Sequence, residues 1–365
     1  MRLCFFADGR NEHLQRLALG LAALGNRVSI VTHKPVAVPG VSVEKFEVPR
    51  PGIRHPFRWN TRYRRYLQGQ FRKNDVVILF FLHDWGFDAA IIEGQSFVAS
   101  PRGSDIVPPP GETPPSEELK ALRVDLLRHA CAVGTAGRRF GEIVAEFAGL
   151  DFDRIERLPI GVDLRRFDPA RFCNERSDEV TRLGFFKGFR EVYGAADIIR
   201  ALPTIVDRNP TVRVDMVGDG PTLPTCKDLA VRLGVSDRLE WHGRKPHAEI
   251  PGILARCTLS LMPSRCESFG VAALESSAMG VPVVATNVGG LPDTVSDGVT
   301  GVLVPPHSPE SLASATIELL GNAARRSKMQ ETGREWVAQR YAWGQVLRQW
   351  VQVCEKTRDS IVACV

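Results

Sequence analysis

The chain has 365 residues, of which 44% are hydrophobic and 24% charged, with a formal net charge of +5. That length suits two domains and that balance a soluble globular protein, which excludes disordered, fibrous and membrane-embedded classes. The mild basic excess fits an anionic ligand without calling for nucleic acid. Eight cysteines are scattered with no C-x-x-C pair, so the reading is free thiols in a reducing cytosol, without disulfides or structural zinc. Residues 3–7 are too short for the apolar core of a signal peptide, and Asp8 interrupts them. No apolar run approaches the ~20 residues that cross a bilayer. The expected location is cytoplasmic, with at most a peripheral contact at the inner face of the membrane.

Taken in order, residues 3–7 read as a strand ending at Asp8-Gly9. Leu14, Leu17, Leu21 and Leu24 fall at helical spacing over 13–24, and Gly25 caps that helix. Residues 28–32 are the next strand. Strand, loop, helix, strand opens a doubly wound sheet, and loop 8–13 then lies at the strands' carboxyl ends, where ligands bind. His13 reads either as a ligand contact there or as a helix cap.

Residues 50–73 hold Arg54, Arg58, Arg62, Arg64, Arg65, Arg72 and Lys73 without one acid, interleaved with Phe57, Trp59, Tyr63, Tyr66 and Phe71. Such a mixture suits an anionic membrane surface, a phosphorylated acceptor or nucleic acid. The plainer alternative is a solvated face with aromatic anchors. Residues 75–81 form a buried strand, followed by His83-Asp84-Trp85-Gly86. Residues 97–100 lead into Pro101-Arg102-Gly103-Ser104-Asp105, where Asp105 either binds a ligand hydroxyl or caps the turn before Pro108. A proline-rich loop (108–115), a helix (119–129) and a short strand (131–135) follow.

The second half repeats the pattern. Strands at 183–186, 212–217, 239–241, 259–262, 281–285 and 302–304 alternate with helices such as 195–206 and 223–233. Residues 309–328 read as one helix. The most informative stretch is 259–290: a buried strand, a turn with Glu267, Ser268, Phe269 and Gly270, a helix over 269–279, and a second strand. A helix's first N–H groups have no partner within it and attract anions, and Gly270 lets backbone approach a phosphate. Glu267 and Glu275, eight positions apart, fall within a quarter turn of one another at ~3.6 residues per turn, so both carboxylates can face one ligand. Carboxylates accept hydrogen bonds from sugar hydroxyls. Amides for a diphosphate flanked by two hydroxyl-reading acids suit a sugar nucleotide; an ordinary amphipathic helix with a solvated Glu is the alternative. Cys266, with no base beside it, reads as a small filler and not a nucleophile.

This stretch resembles the E-x7-E signature of the retaining GT-B glycosyltransferases, in particular family 4 (group 1), with the match running on through Gly280–Ala285, Gly289-Gly290, Asp297-Gly298 and Gly301 to Pro305. The resemblance implies an α/β fold of two Rossmann-like doubly wound domains facing across a cleft. It implies an acceptor-side domain of 1–165 plus a returning helix in 345–365, and a donor domain of 166–344. Leu158 to Asp163 with Phe167 resembles the family's linker, with Ile160 in place of the usual Asn, and Tyr341-Ala342-Trp343 its aromatic motif before the last helix. By the resemblance Glu267 contacts the donor sugar, Glu275 the ribose, Ser268, Phe269 and Gly270 the diphosphate through their amides, and His242 in Trp241-His242-Gly243 the nucleobase. The family supplies an Arg and a Lys five residues apart to neutralise the leaving diphosphate. Here Lys187 stands near the Arg position, Val192 or Tyr193 at the Lys position, and Arg190 is the candidate substitute. Gly9, His13, Arg102 and Asp105 are the acceptor-side candidates; the usual Gly-Gly pair is reduced to Gly9, and Arg102 replaces a His or Trp.

The implied activity is retaining transfer of a hexosyl unit from a UDP- or GDP-sugar to an acceptor hydroxyl, with no cofactor and no metal. Asp151-Phe152-Asp153 has the spacing of a metal-binding D-x-D but follows a helix, not a strand. Partners expected are the nucleotide sugar, a hydroxyl acceptor and an anionic membrane surface at 50–73, with no nucleic acid. The alternatives are a sugar-nucleotide epimerase of the same fold and a nucleotide-sugar-binding protein without turnover.

Overall fold

The computed structural model describes residues 1–46, 61–82, 87, 89–108, 113–172 and 180–362. Contacts divide the chain into one unit of Met1–Ile160 with Gly344–Val365 and another of Gly161–Trp343. The first division falls inside the linker stretch 158–163 read from sequence, a few residues before the expected domain boundary after residue 165.

In the first unit β1 (Arg2–Phe6), α1 (Glu12–Ala23), β2 (Arg27–Thr32) and β3 (Ser42–Lys45) come first. They are followed by α2 (Thr61–Lys73), β4 (Val76–Phe80), α3 (Ala89–Ile92), β5 (Phe97–Ser100), α4 (Glu117–His129), β6 (Ala132–Thr135), α5 (Arg138–Ala148) and β7 (Ile155–Arg157). The strands form one parallel sheet in the order β3-β2-β1-β4-β5-β6-β7. Every residue of β4 is buried, as a continuous apolar run requires when helices cover both faces of a parallel sheet. Helix α1 starts where the Asn11 side chain accepts from the Leu14 amide, and it buries Leu14, Leu17, Ala18 and Leu21.

The second unit runs β8 (Thr181–Phe186), α6 (Ala195–Arg208), β9 (Val212–Val217), α7 (Leu223–Arg232), β10 (Leu239–Gly243), α8 (Ile250–Ala255) and β11 (Leu259–Met262). It continues with α9 (Val271–Ala278), β12 (Val283–Thr286), α10 (Leu291–Thr294), β13 (Gly301–Val304), α11 (Pro309–Gly321) and α12 (Ala323–Tyr341). Its parallel sheet has the order β10-β9-β8-β11-β12-β13, so the winding reverses between β8 and β11. Loops leaving those two strands frame the crevice where such sheets hold ligands. The single helix expected over 309–328 is in fact two. Asn322 interrupts it with a non-helical backbone (φ −120°, ψ 82°), and its side chain caps α12 by accepting from the Arg325 amide.

The last helix, α13 (Trp343–Val362), belongs from Gly344 onward to the first unit. Its Trp350 is buried against Phe5 and Phe80, with ring centroids 6.3 and 6.4 Å apart. Among the described residues no helix is long and apolar enough to cross a membrane.

Candidate active site

The loop between β11 and α9 is held by backbone packed on backbone. A Cβ on Gly194 would stand 1.9 Å from the Pro263 carbonyl oxygen, and one on Gly289 1.9 Å from that of Glu267. Neither position admits a side chain, which is why glycine occupies both. The Gly290 amide donates to the Glu267 carbonyl at 2.8 Å, and Thr294 donates to the Phe269 carbonyl at 3.0 Å. Gly270 takes a φ of 98° and caps α9, so the helix begins at Val271 and its first amides have no acceptor inside it. The Phe269 ring is buried against Tyr341, 5.8 Å between centroids, which anchors the loop from below and leaves only its main chain for a ligand.

Across the β8/β11 reversal, Lys187 at the end of β8 makes a direct ion pair with Glu267. Both are largely covered, with side chains 16% and 10% exposed, and the ammonium also lies 5.1 Å from the Tyr193 ring centre. Burial is the largest single influence on Lys187 and weakens its hold on its proton, but the charge and hydrogen bond of Glu267 together with Tyr193 and Glu275 outweigh it, and the pKa moves above its ordinary value. Lys187 is thus a fixed cation at neutral pH. The Cys266 thiol is pushed up by burial first and by Glu267 second, so it stays protonated and fits the filler reading.

Glu275 is buried on α9, and its Oε1 meets His247 Nε2 at 2.7 Å. Nothing in the sequence reading pointed to His247, which sits in the turn between β10 and α8. His242, on β10, donates or accepts at 2.7 Å through Nε2 to fully buried Asp215, which Arg182 also bonds at 3.0 Å. Ligand atoms of Asp215, Glu240 and His242 lie within 4.8 Å of one another. The Arg182 guanidinium, bonded to both Asp215 and Glu240, already supplies the cation those acids call for. Arg190 lines a separate recess, and Lys187 is not among that recess's lining residues. Arg190 is exposed and shares this recess of about 240 Å³ with Gly194, Arg200, Thr222 and Arg265, between the starts of α6 and α7.

The family patterns divide close to the boundary between the two units. Glycosyltransferase Family 4 matches residues 7–166, and Glycosyl transferases group 1 matches residues 168–336. This chain belongs to the group 1, family 4 glycosyltransferases. It is 30% identical over 250 residues to the D-inositol 3-phosphate glycosyltransferase of Corynebacterium glutamicum (strain R), covering 64% of this chain and 59% of that one. It is 35% identical over 206 residues to the GDP-mannose-dependent alpha-(1-6)-phosphatidylinositol monomannoside mannosyltransferase of Mycolicibacterium smegmatis, covering 52% of this chain and 53% of that one. The chain therefore spans a little over half the length of these curated relatives. Among solved structures, a glycosyltransferase from Rickettsia africae ESF-5 superposes with a TM-score of 0.82 at 18% identity, covering 98% of both chains. HepE from Anabaena, solved with UDP and glucose, gives 0.77 at 19% identity, covering 97% of this chain and 99% of that one. Both likenesses carry the fold, which is GT-B with two Rossmann-like domains.

The acceptor-side candidates of this family 4 chain fare unevenly. The Gly9 amide donates to Thr32 Oγ1 at 2.9 Å, and a Cβ there would stand 2.6 Å from the Lys34 carbonyl oxygen, so the loop after β1 lies tight on the end of β2. His13 is half-buried in the first turn of α1, and the cap is Asn11, which removes the capping reading of His13. Asp105 is buried and gives its carboxylate to the amides of Leu82 (2.8 Å), Arg102 (3.0 Å) and Gly103 (2.8 Å). These contacts fit the turn-shaping reading of Asp105, the second of the two that the sequence offers. Arg102 is likewise turned inward. Its guanidinium lies 4.4 Å from the Phe80 ring centre and 5.3 Å from that of Trp350, and it donates to the Leu158 carbonyl. Burial lowers its pKa to about 9, so it remains charged at neutral pH.

Of the basic-aromatic stretch, residues 50–60 lie outside the described residues, as do His83 to Gly86. Within α2, Leu67 and Phe71 are buried and Tyr66 stacks on Phe46 at 5.2 Å, while Arg65, Arg72 and Lys73 are exposed. The D-x-D pair is exposed, and Asp151 accepts from the Asp153 amide at 3.2 Å as an ordinary turn cap.

Proposed function

We propose that this protein is a retaining hexosyltransferase that takes its donor, a UDP- or GDP-sugar, on residues 161–343 and passes the sugar to an acceptor hydroxyl. The observation that carries this reading is the Lys187–Glu267 pair, set at the reversal of the second sheet and directly before the open amides of α9. In this reading the diphosphate lies on the amides of residues 268–272 and takes the Lys187 ammonium, while Glu267 turns to hydroxyls of the donor sugar. The bond from the anomeric carbon to the diphosphate breaks as the acceptor oxygen bonds that carbon on the same face. The acceptor proton passes to the departing phosphate oxygen, so no protein base is needed. Negative charge grows on the diphosphate in that step, where a buried cation and fixed amides stabilise it most. Glu275 reads the ribose and His242, steadied by Asp215, the nucleobase. The GDP-mannose dependence of the Mycolicibacterium smegmatis relative supports a nucleotide-sugar donor. Acceptor selection is assigned to Gly9 and His13 in the first unit, and an anionic membrane surface at 50–73 is proposed as the acceptor's setting.

The test is to incubate the protein with UDP- and GDP-hexoses and to measure free nucleoside diphosphate with and without candidate acceptors. Acceptor-dependent release, with the donor's anomeric configuration kept in the NMR spectrum of the product, is the expected result. Acceptor-independent release with a changed sugar would indicate an epimerase instead, and binding without release a donor-binding protein.

A further inference from the structure

The buried carboxylate of Glu275 is reached by a chain of side chains that begins outside the E-x7-E stretch. Arg166 donates through a guanidinium nitrogen to His247 Nδ1 at 3.0 Å, and His247 Nε2 lies 2.7 Å from Glu275 Oε1. A guanidinium can only donate, so Nδ1 accepts and the ring's proton resides on Nε2, where it donates to Glu275. Both ends of the ring are thereby fixed. Its side is fixed too, because fully buried Phe167 tilts against it with centroids 5.3 Å apart.

The base of this chain is a single turn. Asp163 Oδ1 accepts from the Arg165 and Arg166 amides at 3.0 and 3.4 Å, and the Asp163 carbonyl accepts from the Phe167 amide at 2.9 Å. That turn orients Arg166 and Phe167 together. The segment that reads in sequence as a mere linker thus supplies both groups that hold His247.

We propose that Arg166 and His247 are positioning residues for the nucleotide: they hold the Glu275 carboxylate in one orientation, and so set how strongly the protein prefers ribose over deoxyribose. A carboxylate that is only 8% exposed is costly unless its charge is met by hydrogen bonds. His247 meets it at one oxygen and fixes the direction in which the carboxylate presents its lone pairs. This inference rests on the donor site proposed above.

Calorimetric titration of the full chain with UDP and GDP, and with their 2′,3′-dideoxy counterparts, tests it. The wild type binds at least one ribonucleotide about tenfold or more tighter than its dideoxy form, the scale of a hydrogen bond to a charged group. In His247→Ala that ratio falls toward one, because ribonucleotide affinity drops while dideoxy affinity holds. A merely structural role would lower both alike. His247→Gln, whose amide can accept from Arg166 and donate to Glu275, restores most of the ratio, and Arg166→Ala lowers it. Should His247→Ala not fold, Arg166→Ala carries the same test. An unchanged ratio in folded His247→Ala and Arg166→Ala overturns the relay and leaves the donor site standing. A wild type that binds neither nucleotide overturns both, and one that binds ribo and dideoxy forms equally overturns ribose reading by Glu275.

Discussion

Both sheets carry polar residues in the loops at their carboxyl ends, yet the two loops use those residues differently. In residues 161–343, side chains from segments distant in sequence meet each other: Lys187 with Glu267, and His247 with Glu275. Such side-chain pairs are separable, and a ligand can take the place of one partner. In the first unit, Asp105 is consumed by three amides of its own neighbourhood and Arg102 by a carbonyl and two aromatic rings. Those contacts fix a loop and leave little for chemistry. A polar residue at a strand end is therefore best judged by whether its partners are main chain or side chain.

Substitution should expose that contrast sharply. Replacing Lys187 or Glu267 by Ala should cut the turnover number by about 100- to 1,000-fold, the scale of losing one preorganised charge contact. Unchanged turnover would remove the ion pair from catalysis. Asp105→Ala should do the reverse. Three buried amides lose their acceptor, which costs about 3 kcal/mol of stability or more, while nucleotide affinity stays at the wild-type value. A stable Asp105→Ala protein with weakened acceptor kinetics would return Asp105 to the acceptor site.

Titration refines the comparison further. Lys187 has a raised pKa in the folded protein, so the contribution of its charge is complete below its ordinary value of 10.5 and is lost only as pH climbs through the raised value. The rate should accordingly show no alkaline fall due to Lys187 between pH 7 and about 9.5. A fall in that range that Lys187→Arg removes would contradict the assignment. The smallest effect concerns Cys266, whose raised pKa predicts alkylation by iodoacetamide at pH 7.5 slower than that of a free thiol. Faster labelling there would mark it as an activated nucleophile.

Much of the fold was legible from residue pattern. Continuous apolar runs gave β4, β5, β8 and β11 to within two residues, because strands covered on both faces need no polar alternation. Gly270 marked the turn, although its left-handed backbone starts α9 at Val271, two residues later than periodicity suggested. Glu267 and Glu275 were legible through their spacing. The break between α11 and α12 was not, since Asn322 sits in an otherwise helical run and acts through its backbone and cap. His247 and Arg166 were hidden for a different reason. Their partners lie 28 and 81 positions away, and no local period records such distances. The proline-histidine turn before α8 was the only local sign, and it reads as an ordinary connection.

The most direct measurement is a crystal structure of the protein with UDP or GDP bound. The account predicts the diphosphate on the amides of residues 268–272, with Lys187 Nζ within hydrogen-bonding distance of a phosphate oxygen and Glu275 on the ribose. A nucleotide bound elsewhere, with Lys187 still paired to Glu267 and the loop before α9 untouched, would contradict it.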